Sequence, residues 1–308
     1  MEKVKVSIVI PCFNEESNIP LIVDRVENIV KKMNINSYEI ILVDDGSSDR
    51  TLEKIKTICE KNKNIKGLSF TKNFGHQLAL KAGIDNSNGE IVISMDADLQ
   101  HPPELIEEMI KKSYEGYDIV YTVRDDRDEK NLFKKITSKL FYRIFRYLSE
   151  IEMDEGSADY RLITDKVVRE IKKEKDPFIF LRGLIANYEF KSFKIKYKPS
   201  KRVHGESKYS FKKMLNLALS GIFGFSLKPL KILLLIGLIL SMVTIFFYLF
   251  LMIFDGMDIK IWLIGETLSV LSFFVFFSLY IFSYYFERVF FLLFNRKNYI
   301  IKERKNLN

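Results

Sequence analysis

The chain has 308 residues, of which 47% are hydrophobic, and a formal net charge of +8. Its length is enough for one large or two modest domains with a sizeable core. With only two cysteines, Cys12 and Cys59, the sequence argues against a disulfide framework and against a cysteine-based zinc site. The basic residues crowd beside two long apolar segments, which favours anionic lipid over nucleic acid as their partner.

The first 125 residues alternate short β-branched runs with amphipathic helical patterns. Strands are predicted at VKVSIVI, YEIILV, KGLSF, EIVISM and YDIVYTV, and helices at 19–33, 51–61, 76–86 and 104–114. This alternation predicts an α/β fold with a mostly parallel sheet and helices on both faces. In such sheets ligands bind beyond the carboxyl ends of the strands, so the residues that follow each strand are the candidates for a site.

The residues that follow the strands are acidic rather than glycine-rich. The segment PCFNEESN after the first strand lacks the G-x-G-x-x-G fingerprint of dinucleotide-binding folds, and the phosphate loop G-x-x-x-x-G-K-[ST] does not occur. Both of those cofactor sites are therefore disfavoured. The acids lie after the first, second and fourth strands: Glu15, Glu16, Asp44, Asp45, Asp96 and Asp98.

The motif VDDGSSDRT places two adjacent acids, Asp44 and Asp45, at a strand end. Adjacent carboxylates repel each other unless they meet donors such as a base N–H, ribose hydroxyls or a metal. The rest of the motif, residues 46–49, reads equally well as a turn followed by a helix cap.

The motif MDADLQHPPE carries the stronger signal. In an extended backbone, Asp96, Asp98 and Gln100 project to the same side. Two carboxylates and an amide oxygen suit Mg²⁺ or Mn²⁺, which would bridge a substrate diphosphate. A capped helix is the alternative, although capping needs only one acid. We interpret His101 as a positioning residue rather than a ligand.

Two apolar segments have the length of membrane-spanning helices. Residues 230–254 carry one charge, Lys231, and residues 261–286 carry one charge, Glu266, each near the start of its segment. A helix needs about 20 apolar residues to cross a bilayer, and the connection DGMDIK is too short for a domain. The sequence therefore predicts a transmembrane hairpin, with Glu266 as an end residue rather than an intramembrane functional acid.

The distribution of lysine and arginine predicts the orientation of the hairpin. Residues 191–213 hold nine basic residues and one acid, the segment from Glu287 onward holds six basic residues, and the connection holds one, Lys260. Basic residues concentrate on the cytoplasmic side of membranes. We therefore expect a multi-pass protein of the cell membrane whose large amino-terminal domain and both termini are cytoplasmic.

These features divide the chain into four predicted parts: a globular domain (1–205), a juxtamembrane segment (206–228), the hairpin (229–288) and a basic tail (289–308). Within the juxtamembrane segment, residues 209–225 read as an amphipathic helix with Phe211, Leu215, Leu219 and Ile222 on one face. Such a helix can lie in the membrane interface. Core packing beneath the globular domain is the alternative.

Seven motifs occur in order before the hairpin: VIPCFNEE, VDDGSSDRT, NFGHQLALKAG, MDADLQHPPE, SADYRL, FLRGL and RVHGESKYS. Together they resemble the polyprenyl-phosphate glycosyltransferases, which are related to dolichol-phosphate mannose synthase and the bactoprenol glucosyltransferases, among the family 2 inverting enzymes with a GT-A fold. The resemblance covers essentially the whole chain. It implies transfer of a hexose from a UDP- or GDP-linked sugar to polyprenyl phosphate, such as undecaprenyl phosphate.

The resemblance also implies roles for matching residues. Those implied to bind the nucleotide sugar are Pro11, Glu15, Asp44, Asp45 and Asp96, and those implied to bind Mg²⁺ or Mn²⁺ are Asp96, Asp98 and Gln100. Asp159 in SADYRL stands at the position of the family's proposed catalytic carboxylate, and Asp98 is grouped with it as catalytic. A phosphomonoester has a second pKa of roughly 6, so the acceptor needs little deprotonation. Asp159 therefore stays open as a base or as a positioning group.

A set of donors is assigned to the acceptor phosphate: Arg124, Arg127, Arg161, Arg182, Arg202, His204, Ser207 and Lys208. Arginine can grip phosphate with two hydrogen bonds, and the low dielectric near lipid strengthens the attraction. For Arg124 and Arg127 a solvated charge cluster is an equal alternative. For the lysines of residues 191–198, a polybasic collar on anionic lipid is the preferred interpretation.

Further partners and alternatives follow from the same reading. A second copy of the chain and a flippase are compatible partners, and nucleic acid is not expected. The segment IANYEF lacks a tryptophan found in many relatives, and the Q-x-x-R-W signature of processive synthases is missing. The alternatives are transfer to a neutral lipid such as diacylglycerol and a non-catalytic sugar-nucleotide-binding membrane scaffold.

Overall fold

The computed structural model describes residues 5–125, 142–152, 154–176, 179–199, 211–253, 257–294 and 298–307. Its strands form one eight-stranded sheet in the order β7-β5-β6-β4-β1-β2-β3-β8. The strands are β1 (Val6–Cys12), β2 (Tyr38–Asp44), β3 (Ile65–Phe70), β4 (Ile91–Ser94), β5 (Ile119–Arg124), β6 (Ser157–Thr164), β7 (Ser192–Tyr197) and β8 (Ile301–Lys305).

The helices alternate with these strands along the globular part of the chain. They are α1 (Ile19–Lys32), α2 (Thr51–Lys61), α3 (His76–Asp85), α4 (Leu105–Tyr114), α5 (residues 142–149), α6 (Asp165–Lys173), α7 (Leu181–Asn187), α8 (Phe211–Phe225), α9 (Lys228–Ile253) and α10 (Met257–Leu293). The predicted strands and helices of the first 125 residues agree with the observed ones to within about two residues.

Strand direction gives the sheet one functional edge. Strands β4, β1, β2 and β3 are mutually parallel neighbours, and β6 runs antiparallel between β4 and β5. Parallel neighbours end at the same edge, so the loops after β1, β2 and β4 lie together. In the β4–β6 register Ser94 faces Arg161, so the end of β4 and the start of β6 lie at the same edge of the sheet.

Helices cover both faces of the sheet, as predicted. One core cluster joins α1, α2 and α4 to inward-facing side chains such as Ile8 and Ile40. The other joins α3, α6 and α7 to the opposite face through side chains such as Val9 and Ile41. The β1 and β2 strands are buried on both faces, which explains their continuous apolar runs. The predicted α/β fold is confirmed.

The described half of α8 packs against the globular domain. Ala218 and Ile222 form a small cluster with Phe145 of α5 and with Phe180, next to α7. This contact corresponds to the core-packing alternative left open by the sequence. The side chains of residues 211–217, which include Phe211 and Leu215, lie outside the described residues.

Helices α9 and α10 are long and apolar enough to cross a membrane. Within them, the most apolar windows are 6% and 0% buried in the protein, so neither helix is a core helix of the globular domain. Their bounds differ from the expected hairpin, because α10 begins at Met257 and continues past residue 286 to Leu293.

The tail also differs from the expected basic extension. Residues 301–305 form β8, which pairs antiparallel with β3 at the edge of the catalytic sheet. The sheet therefore draws on residues beyond the predicted 1–205 domain. The segment IKERK shows no alternation of apolar and polar residues that would predict a strand. Four of its five residues are charged, as is common for a half-exposed strand at a sheet edge.

Candidate active site

The loops that follow β1 and β2 are joined by hydrogen bonds. The backbone N–H of Asn14 donates to Ser47 Oγ at 2.9 Å, and that of Glu15 donates to Thr51 Oγ1 at 2.8 Å. In return Ser48 donates its N–H to Asn14 Oδ1 at 2.8 Å. These reciprocal bonds fix the two loops as one wall of the site.

Asp44 and Asp45 receive their donors from the protein itself. Asp44 accepts from the N–H of Ser47 at 3.0 Å and from Ser69 Oγ at 2.8 Å. Asp45 Oδ1 accepts from the N–H of Phe74 at 2.7 Å, and Gly75 N–H donates to the same carboxylate. Burial is the largest influence on Asp45 and raises the pKa of its carboxyl from 3.8 to about 6, against the lowering effect of these N–H groups.

Asp45 therefore shapes the start of α3. Its bonds to Phe74 and Gly75 hold the loop that leads into His76 and Gln77, the first two residues of the helix. Gly46 is required beneath this loop, because it has φ +67° and an added Cβ would lie 2.4 Å from the carbonyl carbon of Lys72. The repulsion between the two adjacent acids is thus relieved by backbone donors.

Asp96 lies between two histidines. His76 Nε2 is 3.5 Å from Asp96 Oδ1, and His101 Nε2 is 3.7 Å from Asp96 Oδ2. The buried imidazole of His101 stacks on Tyr160 and accepts the backbone N–H of Asp96 at 3.2 Å, which supports its positioning role. Among the described residues, Asp96 Oδ1 has no hydrogen-bond donor although it is buried. A buried carboxylate oxygen that lacks a hydrogen-bond donor is suited to bind a cation.

The backbone after β4 is not extended, which corrects the reasoning behind the expected metal ligands. The strand ends at Ser94, the chain turns, and Leu99 adopts φ +62° while Asp98 Oδ1 accepts the N–H of Gln100 at 3.1 Å. Nevertheless Ala97 and Leu99 are buried, whereas the side chains of Asp96, Asp98 and Gln100 are partly exposed. The turn therefore keeps these three polar residues toward the surface of the site.

Asp159 is bonded by side chains from three residues. Arg182 donates from Nε to Oδ1 and from Nη2 to Oδ2, both at 2.7 Å, and Gln77 Nε2 donates to Oδ2 at 3.1 Å. His76 Nε2 lies 3.3 Å from Oδ2. Burial alone would raise the pKa of Asp159, but the charge and hydrogen bonds of Arg182 and the contact with His76 hold it well below its usual range.

His76 connects the two carboxylates at the amino terminus of α3. Burial lowers its pKa, but the hydrogen bond to Asp159 and the charges of Asp96 and Asp159 outweigh that effect and raise the pKa above its ordinary value. Its Nε2 lies within 3.5 Å of a carboxylate oxygen of both Asp96 and Asp159, so the two acids favour protonation of this imidazole. A single side chain therefore links MDADLQHPPE to SADYRL.

Behind Asp159 lies a pocket of about 320 Å³. Three arginines line it: Arg146, Arg161 and Arg182. Burial is the main cause that lowers the pKa of Arg161 to about 10, so this guanidinium stays charged near neutral pH. Ile185 and Phe190 supply an apolar wall on the same side as α7. Two carboxylates, Glu152 and Asp154, also line the pocket, and Asp154 is paired with Lys194. The three arginines thus outnumber the acids of the lining.

The structure brings some of the predicted residues together and leaves others outside its description. Pro11 lies in β1 opposite Val43, Glu15 lies in the joined loops, and Arg124 ends β5 with an exposed side chain. Arg161 and Arg182 share the pocket. The remaining predicted donors fall outside the described residues: Arg127, Arg202, His204, Ser207 and Lys208.

Sequence reasoning missed two residues of the site, His76 and Gln77. Both belong to the quoted motif NFGHQLALKAG, but no role was assigned to them. They follow β3, so the rule that selected the acids after β1, β2 and β4 also covers them. Arg146 was missed as well, and no sequence signal marks it, because only the packing of α5 beside β5 and α7 brings it to the pocket.

Comparison with known proteins identifies the family of this chain. A model of glycosyl transferase family 2 matches residues 7–172. YkcC of Bacillus subtilis (strain 168), an uncharacterized glycosyltransferase, is 41% identical over 82% of this chain and 77% of its own. The prophage bactoprenol glucosyl transferase homolog of Escherichia coli (strain K12) is 35% identical over 78% of both chains. The mannosyltransferase PcManGT from Pyrobaculum calidifontis, solved with GDP-Man and Mn²⁺, overlaps with a TM-score of 0.48 at 17% identity, covering 73% of this chain and 64% of that one.

The family model and the sequence relatives show that the chain is a sugar-transferring enzyme. The chain belongs to glycosyl transferase family 2. The resemblance drawn from the seven motifs is thereby confirmed for the family and for the activity of glycosyl transfer.

Proposed function

We propose that the protein transfers a hexose, with inversion, from a nucleotide diphosphate sugar to polyprenyl phosphate at the cytoplasmic face of a membrane. The observation that carries the proposal is an identity of 35%, over 78% of the chain, to a bactoprenol glucosyl transferase and to a protein named as a homolog of that enzyme. The two apolar helices beside the catalytic domain support a lipid acceptor. The crowding of basic residues in 191–213 supports the cytoplasmic orientation.

The donor would bind at the joined loops after β1 and β2. Pro11 lies near the carboxyl end of β1, Glu15 lies in the loop that follows, and Asp44 is the last residue of β2. Asp44 is almost fully buried and already accepts two hydrogen bonds. It would therefore shape the nucleotide-binding pocket as much as contact the nucleotide base. Asp45 supports the site through the loop before α3.

A divalent cation fits the residues after β4. Asp96 offers a buried oxygen without a hydrogen-bond donor, and Asp98 and Gln100 are partly exposed oxygen-bearing residues of the same turn. Within the described ranges, no three His, Cys, Asp or Glu side chains form a metal cluster. Mg²⁺ or Mn²⁺ held by Asp96, Asp98 and Gln100 would therefore take further ligands from water and substrate, and it would neutralise the departing diphosphate.

Asp159 acts in this proposal as a positioning group rather than as a base. Its low pKa makes it a weak base, and Arg182, Gln77 and His76 already bond to its oxygens. A phosphate acceptor is largely ionised at neutral pH, because its second pKa is roughly 6. The acceptor oxyanion would attack C1 of the sugar directly, the bond from C1 to the diphosphate would break, and Asp159 would orient the groups around that carbon.

The acceptor phosphate would lie at the pocket of Arg146, Arg161 and Arg182. Arg182 uses part of its guanidinium on Asp159 and donates from Nη1 to the carbonyl of Ser157 at 3.0 Å, so a phosphate would meet its remaining N–H groups. The apolar wall of Ile185 and Phe190 suits the first isoprene units. This arrangement would place the oxyanion beside Asp159.

The test uses purified full-length protein in vesicles with undecaprenyl phosphate and a panel of labelled UDP- and GDP-hexoses, with Mg²⁺ or Mn²⁺. We expect one donor to yield labelled lipid, and none to do so in vesicles without the acceptor. Labelling of diacylglycerol vesicles instead would establish the neutral-lipid alternative. No transfer from any donor, or full cellular function of Asp98→Ala, would contradict the proposal and favour a scaffold.

A further inference from the structure

After the second apolar helix, the chain returns to the catalytic domain. Residues 298–307, which we name the return segment, contain β8, and β8 pairs with β3 on the side of the sheet away from β5 and β7. Leu68 faces Arg304, and Phe70 faces Ile301 across the pair. A strand pair of this kind would suffice to cover an exposed edge. The return segment makes further contacts that edge protection does not require.

Its far end caps a helix. Asn306 has φ +56°, and its Nδ2 donates to the carbonyls of Cys59 at 2.6 Å and Ile65 at 2.8 Å. The last carbonyls of a helix have no partner within the helix, and α2 ends at Lys61. Asn306 therefore supplies the donor that the end of α2 needs, from 247 residues away in the chain.

Its near end is held by an aromatic ring and by an amide. Tyr299 stacks on Phe70 with ring centroids 5.0 Å apart, and its hydroxyl donates to Asp85 Oδ2 at 3.0 Å. Asn298 Nδ2 donates to the carbonyl of Asp176 at 3.1 Å. The return segment thus contacts β3, the end of α3 and the loop after α6.

The same loop is bound by the membrane helix. Asp176 forms an ion pair with Arg288, which lies five residues before the end of α10. At 1.5 Å per residue, the 37 residues of α10 span about 55 Å, well beyond the roughly 30 Å of a hydrocarbon core. The Arg288 end can therefore emerge from a bilayer and still meet the domain. Tyr285 adds a hydrogen bond from its hydroxyl to the carbonyl of Ser226, between α8 and α9.

We propose that the return segment is a clasp that attaches the catalytic domain to the exit of α10 and so fixes the orientation of the active site toward the bilayer. A domain joined only through α8 and α9 could rotate about that connection. A second attachment removes this freedom and keeps the mouth of the site facing the lipid surface, which raises the effective concentration of a membrane acceptor. The importance of this orientation for transfer rests on the proposed function.

The decisive variant is Tyr299→Ala combined with Asn306→Ala in the full chain, because it removes one side-chain anchor from each end of the clasp and leaves the bond of Asn298 and the β3–β8 pairing in place. Lys302→Ala, whose side chain is exposed on the same strand, is the matched control. In vesicles we expect transfer to long-chain polyprenyl phosphate to fall by about tenfold in the double variant. Transfer to a short-chain, water-soluble polyprenyl phosphate should change by less than about twofold, because a soluble acceptor reaches the site in any orientation.

Equal losses with both acceptors would show that the segment only stabilises the domain, and unchanged rates with both would also overturn the clasp. A second readout does not depend on activity. Cys12 and Cys59 are buried, so Tyr114→Cys, at an exposed position, can carry one fluorophore for energy transfer to labelled lipid. We expect the distribution of distances to the bilayer to broaden when the anchors are removed, and an unchanged distribution would refute the clasp even if no donor sugar is ever transferred. Should the double variant not fold, Tyr299→Phe repeats both measurements with the Phe70 stack intact.

Discussion

Glu39 and Asp159 are buried carboxylates at opposite ends of the sheet. Glu39 lies near the amino end of β2 and accepts from Ser7 Oγ at 2.5 Å, from Asn88 N–H at 2.7 Å and from Lys66. Asp159 is equally buried, but two of its donors, His76 and Arg182, have side chains that are 29% and 22% exposed. The partners of Glu39 join β2 to its neighbouring strands, whereas Arg182 connects Asp159 to the pocket and His76 connects it to Asp96. Burial and hydrogen bonding are common to both carboxylates, so the connection to a pocket and to a second acid makes Asp159 the candidate for function.

The largest effect is expected for Asp159→Asn. The amide keeps the shape but loses the charge that Arg182 and His76 stabilise, so we expect transfer to fall by about 100- to 1,000-fold while the sugar nucleotide still binds. Steady-state rates and a separate nucleotide-binding measurement check this. A fall of less than about threefold would show that Asp159 does not act in the reaction.

Glu39→Gln should produce the opposite pattern. The change leaves Lys66 without its anion, and because the Lys66 side chain is partly exposed we expect a loss of about 2–3 kcal/mol in the free energy of unfolding. Transfer per folded molecule should stay within about twofold of the wild type. Denaturant unfolding and rates on the folded fraction separate the two quantities. Loss of activity at unchanged stability would show that Glu39 acts in transfer, which contradicts a purely structural role for this carboxylate.

Asp45 gives a pH-dependent test. Its folded pKa of about 6 lies above the ordinary 3.8, so the native state binds more protons than the unfolded state between those values. Stability from this group therefore decreases as pH rises from about 4 to about 6, by about 3 kcal/mol at most, and then levels. Asp159 contributes with the opposite sign, because its depressed pKa gives stability that is lost as pH falls below the unfolded value. When the free energy of unfolding is measured against pH, Asp45→Asn should abolish the decrease between about pH 4 and 6. The loss of stability at lower pH, which Asp159 causes, should remain.

The smallest effect is expected for Arg182→Lys. Lysine keeps the charge but cannot form the two parallel hydrogen bonds to Asp159, so we expect a loss of about tenfold in kcat. Arg169→Lys, at an exposed ion pair with Asp165, is the control and should leave rate and stability within measurement error. An undiminished kcat for Arg182→Lys would mean that the orientation of Asp159 is not important.

Much of the α/β order could be predicted, because local period and turn residues determine it. Strands from VKVSIVI to YDIVYTV alternate with helices as their hydrophobic patterns require, and the acids after β1, β2 and β4 were found by strand-end reasoning. The placement of Asp159 and Asp96 on either side of His76 was not accessible in this way, because it depends on the pairing of β4 with a strand distant in sequence. The same holds for Gln77, which meets Asp159 across 82 residues.

The sequence by itself determined that this chain would form an α/β domain with acids at one edge and two apolar helices beside it. Hydrophobic periodicity and charge are local properties of a chain, so they can be read without coordinates. Only the tertiary structure decided that His76 links Asp96 to Asp159, that Asp45 supports α3, and that residues 298–307 close on β3. Those contacts join segments far apart in sequence, and their energies arise from packing and hydrogen bonds that no local pattern encodes.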